Sequence, residues 1–549
     1  MSVRFYLFLG LLGLGFSSFI ALFQQAPGYM DAEYYYSGGM RLAEGYGFSE
    51  EILWNYLDDP VGLPHPSHGY WMPLVSILAA IGPIISGSLN FPMARLSFIL
   101  LAALLPPLTA ALAWRLHGRR DLALVSAAFA LFPAFYMPYL PTTDVFSPLM
   151  VSGGLFLLMI PSNGQAEGPN RHPLSLSFFF LGILAGLMHL ARADGVIWLI
   201  VALGAAVFRT GRPVPGSQPS LPDGDGGRGA KIRQSGVAVG VQMLACIVGY
   251  RLIMAPWYIR NFTVFGTILA PGGSRALWIR GYDELFTYPA ATLTFQRWWE
   301  SGLKAIADAR AWAAGQNLQS AVAVQGEIFL APLILIGMWK LRKDLHVQLA
   351  GTAWLLIFLA MTLIFPYQGA RGGFLHSAAG LQPLFWAVAP VGLESVLEIG
   401  VQRRGWDIRQ ARRFFSTGLV GFALLLTIFV TANRLFSNET GRSAWSESHA
   451  RYTRLQQALT TMGAARGDVV MVNNSPGFYI AGERPAISIP FGYLQDVCSA
   501  AQRYKVRFLG LEIDQIPGET ELFEHPSDKA CLRFRENFEG IRVFEVREP

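Results

Sequence analysis

Apolar residues fall in runs of about twenty, separated by short polar and basic segments, the pattern of helices that cross a bilayer. Eleven such runs are read, at 6–23, 95–114, 122–140, 145–160, 177–191, 196–208, 236–256, 327–340, 349–366, 377–396 and 415–433. The first is long and is followed by Gln24-Gln25-Ala26-Pro27, which predicts an uncleaved anchor rather than a signal peptide. The stretch 71–89 is also apolar. It holds Pro73, Pro83 and two glycines and has no basic flank, so it is predicted to lie at the interface or to re-enter. After residue 433 the pattern changes. Short β-rich runs at 468–472, 506–511 and 542–546 alternate with helical spacing at 446–463 and 493–504. The fold class predicted is an all-α polytopic membrane body, residues 1–433, carrying a small C-terminal α/β domain, residues 434–549.

Composition sharpens that division. Charged residues make up 15% of the chain, against about 25% in a soluble domain. They are concentrated in the tail, which holds 14 basic and 15 acidic residues. Mean hydropathy is +0.36. This excludes a disordered chain, a nucleic-acid-binding domain and an ordinary cytosolic enzyme. The net charge of +6 belongs to the membrane body. With Arg4 and the N-terminus placed in the cytoplasm, the basic clusters fall on one side: Arg115, Arg119 and Arg120; Arg171; Arg209, Arg212, Arg228, Lys231 and Arg233; Lys340, Arg342 and Lys343; and Arg403, Arg404, Arg409, Arg412 and Arg413. Residues 209–235, rich in Gly, Pro, Ser and Asp, then form a flexible cytoplasmic loop. The external face receives a first loop at 24–94, a second at 257–325, and the tail. The expected location is the plasma membrane. Cys498 and Cys531 both lie in the external tail, where a disulfide persists; two buried thiols are the other reading.

Candidate chemistry gathers outside the bilayer. Asp31 and Glu33 follow the first span within a few residues, and carboxylates at that depth are functional candidates. Two apart, they do not share a helix face: one can point into a cleft while the other positions it or binds a cation. Asp31 fits equally as the N-cap of a helix over 32–44. Further along the loop, His65, His68, Tyr70 and Trp71 sit among prolines. Aromatic faces stack on pyranose rings and histidine bonds phosphate oxygens, and an interfacial aromatic belt gives the same pattern. Arg95, Arg192, Arg260, Arg275 and Arg371 are predicted at the outer face, where a guanidinium either forks onto phosphate oxygens or snorkels to headgroups. Arg192 also has Asp194 at hand as a partner. His376 follows Arg371-Gly372-Gly373, whose glycines permit close backbone approach.

The order of these features resembles the GT-C class of membrane glycosyltransferases, in particular the family-39-like group that includes protein O-mannosyltransferases and the lipid A aminoarabinose transferase. The resemblance runs over roughly residues 1–400. An acidic residue, Asp31, opens a long first external loop, and an aromatic, Pro-rich patch runs from His65 to Leu74. Ala94-Arg95-Leu96 leads into the second span, and Pro141-Thr142-Thr143-Asp144 opens a later one. Arg192-Ala193-Asp194-Gly195 ends a glycine-rich span, and Pro256-Trp257-Tyr258-Ile259-Arg260-Asn261 leaves another. Many members of that family have adjacent Asp-Glu, whereas here Ala32 intervenes, a departure that touches Glu33 more than Asp31.

The resemblance implies a donor sugar on a polyprenyl phosphate and an extracytoplasmic acceptor hydroxyl on protein, lipid or polysaccharide. Asp31 is then the base, with Glu33 beside it, and inversion follows from attack opposite the phosphate. His65, His68, Tyr70, Trp71, Arg95, Asp144, Arg192, Arg260, Arg371 and His376 become the substrate-binding set. The sequence fixes no cofactor and does not say whether a divalent cation is needed; Asp31 with Glu33 offers a thin site for Mg²⁺ or Mn²⁺. A transporter or flippase of lipid-linked sugars is the alternative from another class. Against it, no internal repeat is visible and the acidic and aromatic residues do not sit at midplane.

Overall fold

The computed structural model describes residues 1–161, 174–210, 225–436 and 444–547. Arg171, Arg212 and the loop 211–224 lie outside the described residues, as do the side chains of Arg209, Arg228, Lys231 and Arg233. Among the described residues, seven helices are long and apolar enough to cross a membrane, and the chain is an integral membrane protein. They are Val3–Ala21, Phe91–His117, Leu174–Ala191, Gly236–Phe265, Leu345–Ile364, Pro366–Arg404 and Ile408–Phe436. Four shorter apolar helices accompany them, at Leu74–Ser86, Phe146–Met159, Ala193–Phe208 and Ala331–Lys340.

Local chemistry explains where this pattern differs from the sequence reading. The run 122–140 is not one helix. A helix over Arg120–Leu131 stops before Pro133, and a tighter 3₁₀ segment, Ala134–Tyr139, follows with Pro138 inside it. Proline removes a donor and clashes with the preceding turn, so a continuous α-helix cannot pass both positions. The stretch 71–89 becomes the thirteen-residue helix Leu74–Ser86. At 1.5 Å per residue it reaches about 20 Å, short of the hydrocarbon thickness. It packs on the helix Met30–Ala43, where Gly39 lies against Ala79. A long helix already begins at Asp225, inside the segment read as a loop.

The bundle core is built from fully buried large apolar side chains, among them Trp386, Phe98, Phe129, Phe156, Phe178 and Phe374. Where the last long helix ends at Phe436, the chain leads into an α/β layer. Its sheet has six strands, in the order Ile52–Leu53, Ala486–Ser488, Val469–Val472, Val506–Leu511, Ile541–Val546 and Leu532–Phe538. The first four are parallel and the last two antiparallel to their neighbours. The outermost strand comes from the first long loop, with Ile52 level with Ala486. Tyr56 Oη donates to the Ser488 carbonyl and Ser475 Oγ to the Leu53 carbonyl at 3.1 Å, so the loop and the tail share one buried hydrogen-bonded core. Cys498 and Cys531 form a disulfide, their Cα atoms 5.9 Å apart.

Candidate active site

A cavity of about 170 Å³ opens between the helix Met30–Ala43, the aromatic loop, the segment 273–285 and the broken helix at 361–376. Asp31, Tyr70, Trp71, Arg192, Arg371 and His376 all line it. Six of the residues singled out in the sequence, drawn from positions 31 to 376, therefore meet around one cavity.

Asp31 sits at the second position of its helix. Tyr29 takes the N-cap position in extended conformation, so Asp31 is not a cap. Among the described residues its carboxylate accepts no hydrogen bond and forms no ion pair. Burial lifts it to about 6. The His376 imidazole pulls it back, Asp144 pushes it further up, and Arg192 pulls it down. The backbone around it is clamped: Thr143 Oγ1 donates to the Ala32 carbonyl at 2.7 Å, and Tyr29 Oη donates to Asp144.

Arg371 stands on the opposite wall. The run Pro366–Ala378 changes from α to π geometry and back, and Gly372 has φ +118°, a backbone that side chains rarely adopt. That kink turns Arg371 out of the helix. Its guanidinium lies 5.4 Å from the Tyr282 ring and has no hydrogen bond or ion pair among the described residues. His376, one turn on, stacks on Phe146 at 4.5 Å; its Nδ1 donates to the Gly372 carbonyl at 2.9 Å, and its Nε2 lies 3.5 Å from Asp144. Asp144 thus orients His376 from behind the wall. Burial would raise the Asp144 carboxyl, but His376, Tyr29 and the Val145 N–H outweigh it and hold it low. Arg192 pairs with Asp194 at 3.0 Å, bonds Ser377 Oγ at 3.0 Å, and presents its remaining face to the cavity. Trp54 and Trp71 stack at 4.1 Å with 9° between planes, giving the cavity a rigid aromatic side.

The remaining candidates do not reach the cavity. Glu33 is two residues from Asp31, about 200° around the helix, and is buried on the far side. Its Oε2 accepts from Asn474 Nδ2 at 2.7 Å, and burial, opposed by that bond, lifts it to about 7. The two carboxylates therefore do not converge on a shared ion, and among the described residues no group of three or more His, Cys, Asp or Glu is placed to hold a metal. His65 is locked between carboxylates, with Nε2 3.3 Å from Glu50 and Nδ1 3.7 Å from Asp58. His68 bonds Ser67 Oγ at 2.7 Å and Ser76 Oγ at 3.1 Å; burial, helped by Arg260, lowers it to about 3, so it stays neutral. Arg95 donates to the Gln24 carbonyl at 2.8 Å, Arg260 to the Ser67 carbonyl at 2.7 Å, and Arg275 to the Leu57 carbonyl at 2.6 Å. These three hold the first loop in shape.

Tyr35, Trp54, Tyr282 and Gln368 line the cavity without having been singled out. Tyr35 and Trp54 lie in aromatic clusters visible in the sequence, but Tyr282 and Gln368 had no local signal. In the tail, Asn474 is the N-cap of a helix, Ser475–Gly482.

No family model and no curated protein matches this chain. Among solved structures it is similar to the oligosaccharyltransferase of Archaeoglobus fulgidus in the apo form, with a TM-score of 0.55, 12% identity, and coverage of 95% of this chain and 70% of that one. It is similar also to archaeal oligosaccharyltransferase AglB from Archaeoglobus fulgidus in complex with an inhibitory peptide and a dolichol-phosphate, with a TM-score of 0.52, 11% identity, and coverage of 92% and 69%. ArnT from Cupriavidus metallidurans bound to undecaprenyl phosphate aligns over the whole of both chains at 11% identity, with a TM-score of 0.48. At these identities the archaeal likeness is one of fold: the protein is a mostly helical membrane protein of GT-C-like architecture with a small C-terminal sheet region.

Proposed function

We propose that the protein is a membrane glycosyltransferase that moves a sugar from a polyprenyl-phosphate donor to an acceptor hydroxyl, with Asp31 as general base. The observation that carries this reading is an unpartnered carboxylate, Asp31, and an unpartnered guanidinium, Arg371, on the walls of one aromatic-sided cavity. Asp31 is half-buried, where a charge is normally paired, while Arg371 is an exposed cation on the lining of the same cavity. A pair left open across a cleft suits a reaction that brings its own proton to one side and its own anion to the other. The archaeal enzyme of like fold is seen with a dolichol-phosphate, which agrees with a lipid phosphate as the anion.

In this mechanism the sugar lies against Trp71 and Trp54, and its phosphate faces Arg371 and Arg192. The acceptor oxygen attacks the anomeric carbon from the face opposite the phosphate. Its proton passes to an Asp31 oxygen. The carbon–oxygen bond to the phosphate breaks, and the electron pair leaves on the lipid phosphate, where a fork of guanidinium donors receives it. Attack and departure on opposite faces invert the anomeric centre. A positioned base contributes about 10²–10⁴-fold. The basic clusters of the opposite end support an extracytoplasmic position for this cavity and the tail.

The decisive experiment incubates purified Asp31→Asn protein with a radiolabelled polyprenyl-phosphate hexose and cell-envelope fractions. Transfer is expected to disappear while membrane abundance stays unchanged. Full transfer by the variant would remove the proposed base.

A further inference from the structure

Asp31 has no side-chain tie of its own, so something else must fix its aim. The helix that carries it is gripped from two directions. On the bundle side stand Thr143 and Asp144, through the Ala32 carbonyl and the Tyr29 hydroxyl. On the tail side stands Asn474, 441 residues away in sequence, through Glu33. Asn474 uses both ends of its amide. Its Nδ2 donates to Glu33 Oε2 at 2.7 Å, and its Oδ1 accepts from the Gly477 N–H at 3.1 Å, capping the helix Ser475–Gly482. The approach is tight: a Cβ added at Gly477 would lie 2.7 Å from Glu33 Oε2 and 2.6 Å from Asn474 Nδ2, so only hydrogen fits there. Glu33 has no exposure, and its other oxygen, Oε1, has no partner. A buried carboxylate held by one amide is a fixed point, because removing that partner leaves a buried polar group unsatisfied.

We propose that Glu33 is a positioning residue rather than a catalytic one, and that Asn474, by holding it, sets the aim of Asp31 and makes the C-terminal region a working part of the site. The proposal rests on the assignment of Asp31 as base. Glu33 and Asp31 occupy opposite faces of one rigid turn, so a rotation that frees Glu33 swings Asp31 away from the cavity centre. The known contacts of Glu33 lie with the tail and not with the cavity wall, which separates its role from that of Arg371 or His376.

The test uses the full chain in lipid vesicles, with two readouts. One follows release of lipid phosphate from radiolabelled undecaprenyl-phosphate hexose in the presence of cell-envelope fractions. The other follows amide hydrogen exchange over residues 29–36 by mass spectrometry and needs no activity. Asn474→Ala is expected to lower kcat about tenfold with the donor KM within twofold, and to speed exchange in the 29–36 peptide. Glu33→Gln keeps an acceptor oxygen for Asn474 and should retain at least a third of wild-type kcat. The double variant Glu33→Ala/Asn474→Ala should be no worse than Glu33→Ala alone. The proposal is overturned if Asn474→Ala keeps wild-type kcat and exchange, if Glu33→Gln is as inactive as Asp31→Asn, or if the two losses multiply. Failure of the base assignment looks different: Asp31→Asn would stay active while exchange at 29–36 still responded to Asn474→Ala.

Discussion

At the end of the bundle away from the sheet, Arg119, Arg412 and Glu394 tie three helices together. Arg412 Nε lies 2.6 Å from Glu394 Oε1 and Arg119 Nη1 3.0 Å from Oε2, while Asp121 completes the network. At the sheet end, Asp31 and Arg371 face one cavity and neither has an ionic partner among the described residues. The same residue types thus do opposite work. Charges that satisfy one another hold helices together. In the proposed reaction the charges left open receive what arrives, an incoming proton or phosphate supplying the missing half of the pair.

Four experiments bear on that contrast. The largest effect is expected from Asp31→Asn, with a fall in transfer rate of about 10²–10⁴-fold, the usual contribution of a positioned base, measured by labelled-sugar transfer. Next comes Arg371→Gln. One charge-assisted contact to the leaving phosphate amounts to about 1.5–3 kcal/mol, so transfer should fall about 10–100-fold while the protein remains folded by thermal unfolding. Third is pH. Burial lifts the Asp31 carboxyl to about 6. A base works only deprotonated, so kcat/KM should be flat above this value and fall about tenfold per pH unit below it. In Asp31→Asn any residual rate should lose this limb. The smallest effect belongs to the other end. Arg412→Ala leaves Arg119 on Glu394 at a partly exposed site, and transfer is expected within about threefold of wild type. A large loss there would erase the distinction between the two ends.

Much of this was legible in the sequence because the membrane imposes one rule: apolar runs long enough to span it must be helices. The runs at 6–23, 177–191 and 415–433 correspond to Val3–Ala21, Leu174–Ala191 and Ile408–Phe436. In the tail, the β-rich runs 468–472 and 506–511 correspond to Val469–Val472 and Val506–Leu511. The meeting of Asp31 with Arg192, Arg371 and His376 was foreshadowed by their common placement at span ends. Side-chain direction was the part not written locally. Ala32 between Asp31 and Glu33 sets the two acids about 200° apart, which shows that one turns away but not which. His65 and His68 look like phosphate ligands by type, yet Glu50, Asp58, Ser67 and Ser76 reach them first. Those partners are brought in by loop folding rather than by spacing. Tyr282 and Gln368 come from segments with no motif, and only their packing across the cleft reveals them. Asn474 was readable as the start of a turn; its reach to Glu33 depends on a strand from the first loop joining the tail sheet.

That borrowed strand, Ile52–Leu53, leaves the tail with a gap whenever it is handled alone. A fragment beginning at residue 444 would carry the β-sheet without its outermost member, and the backbone groups of Ala486–Ser488 would face water as a bare edge. Such an edge recruits other strands, so the excised piece is expected to self-associate, whereas the same residues in the intact chain are sealed by their own N-terminal loop.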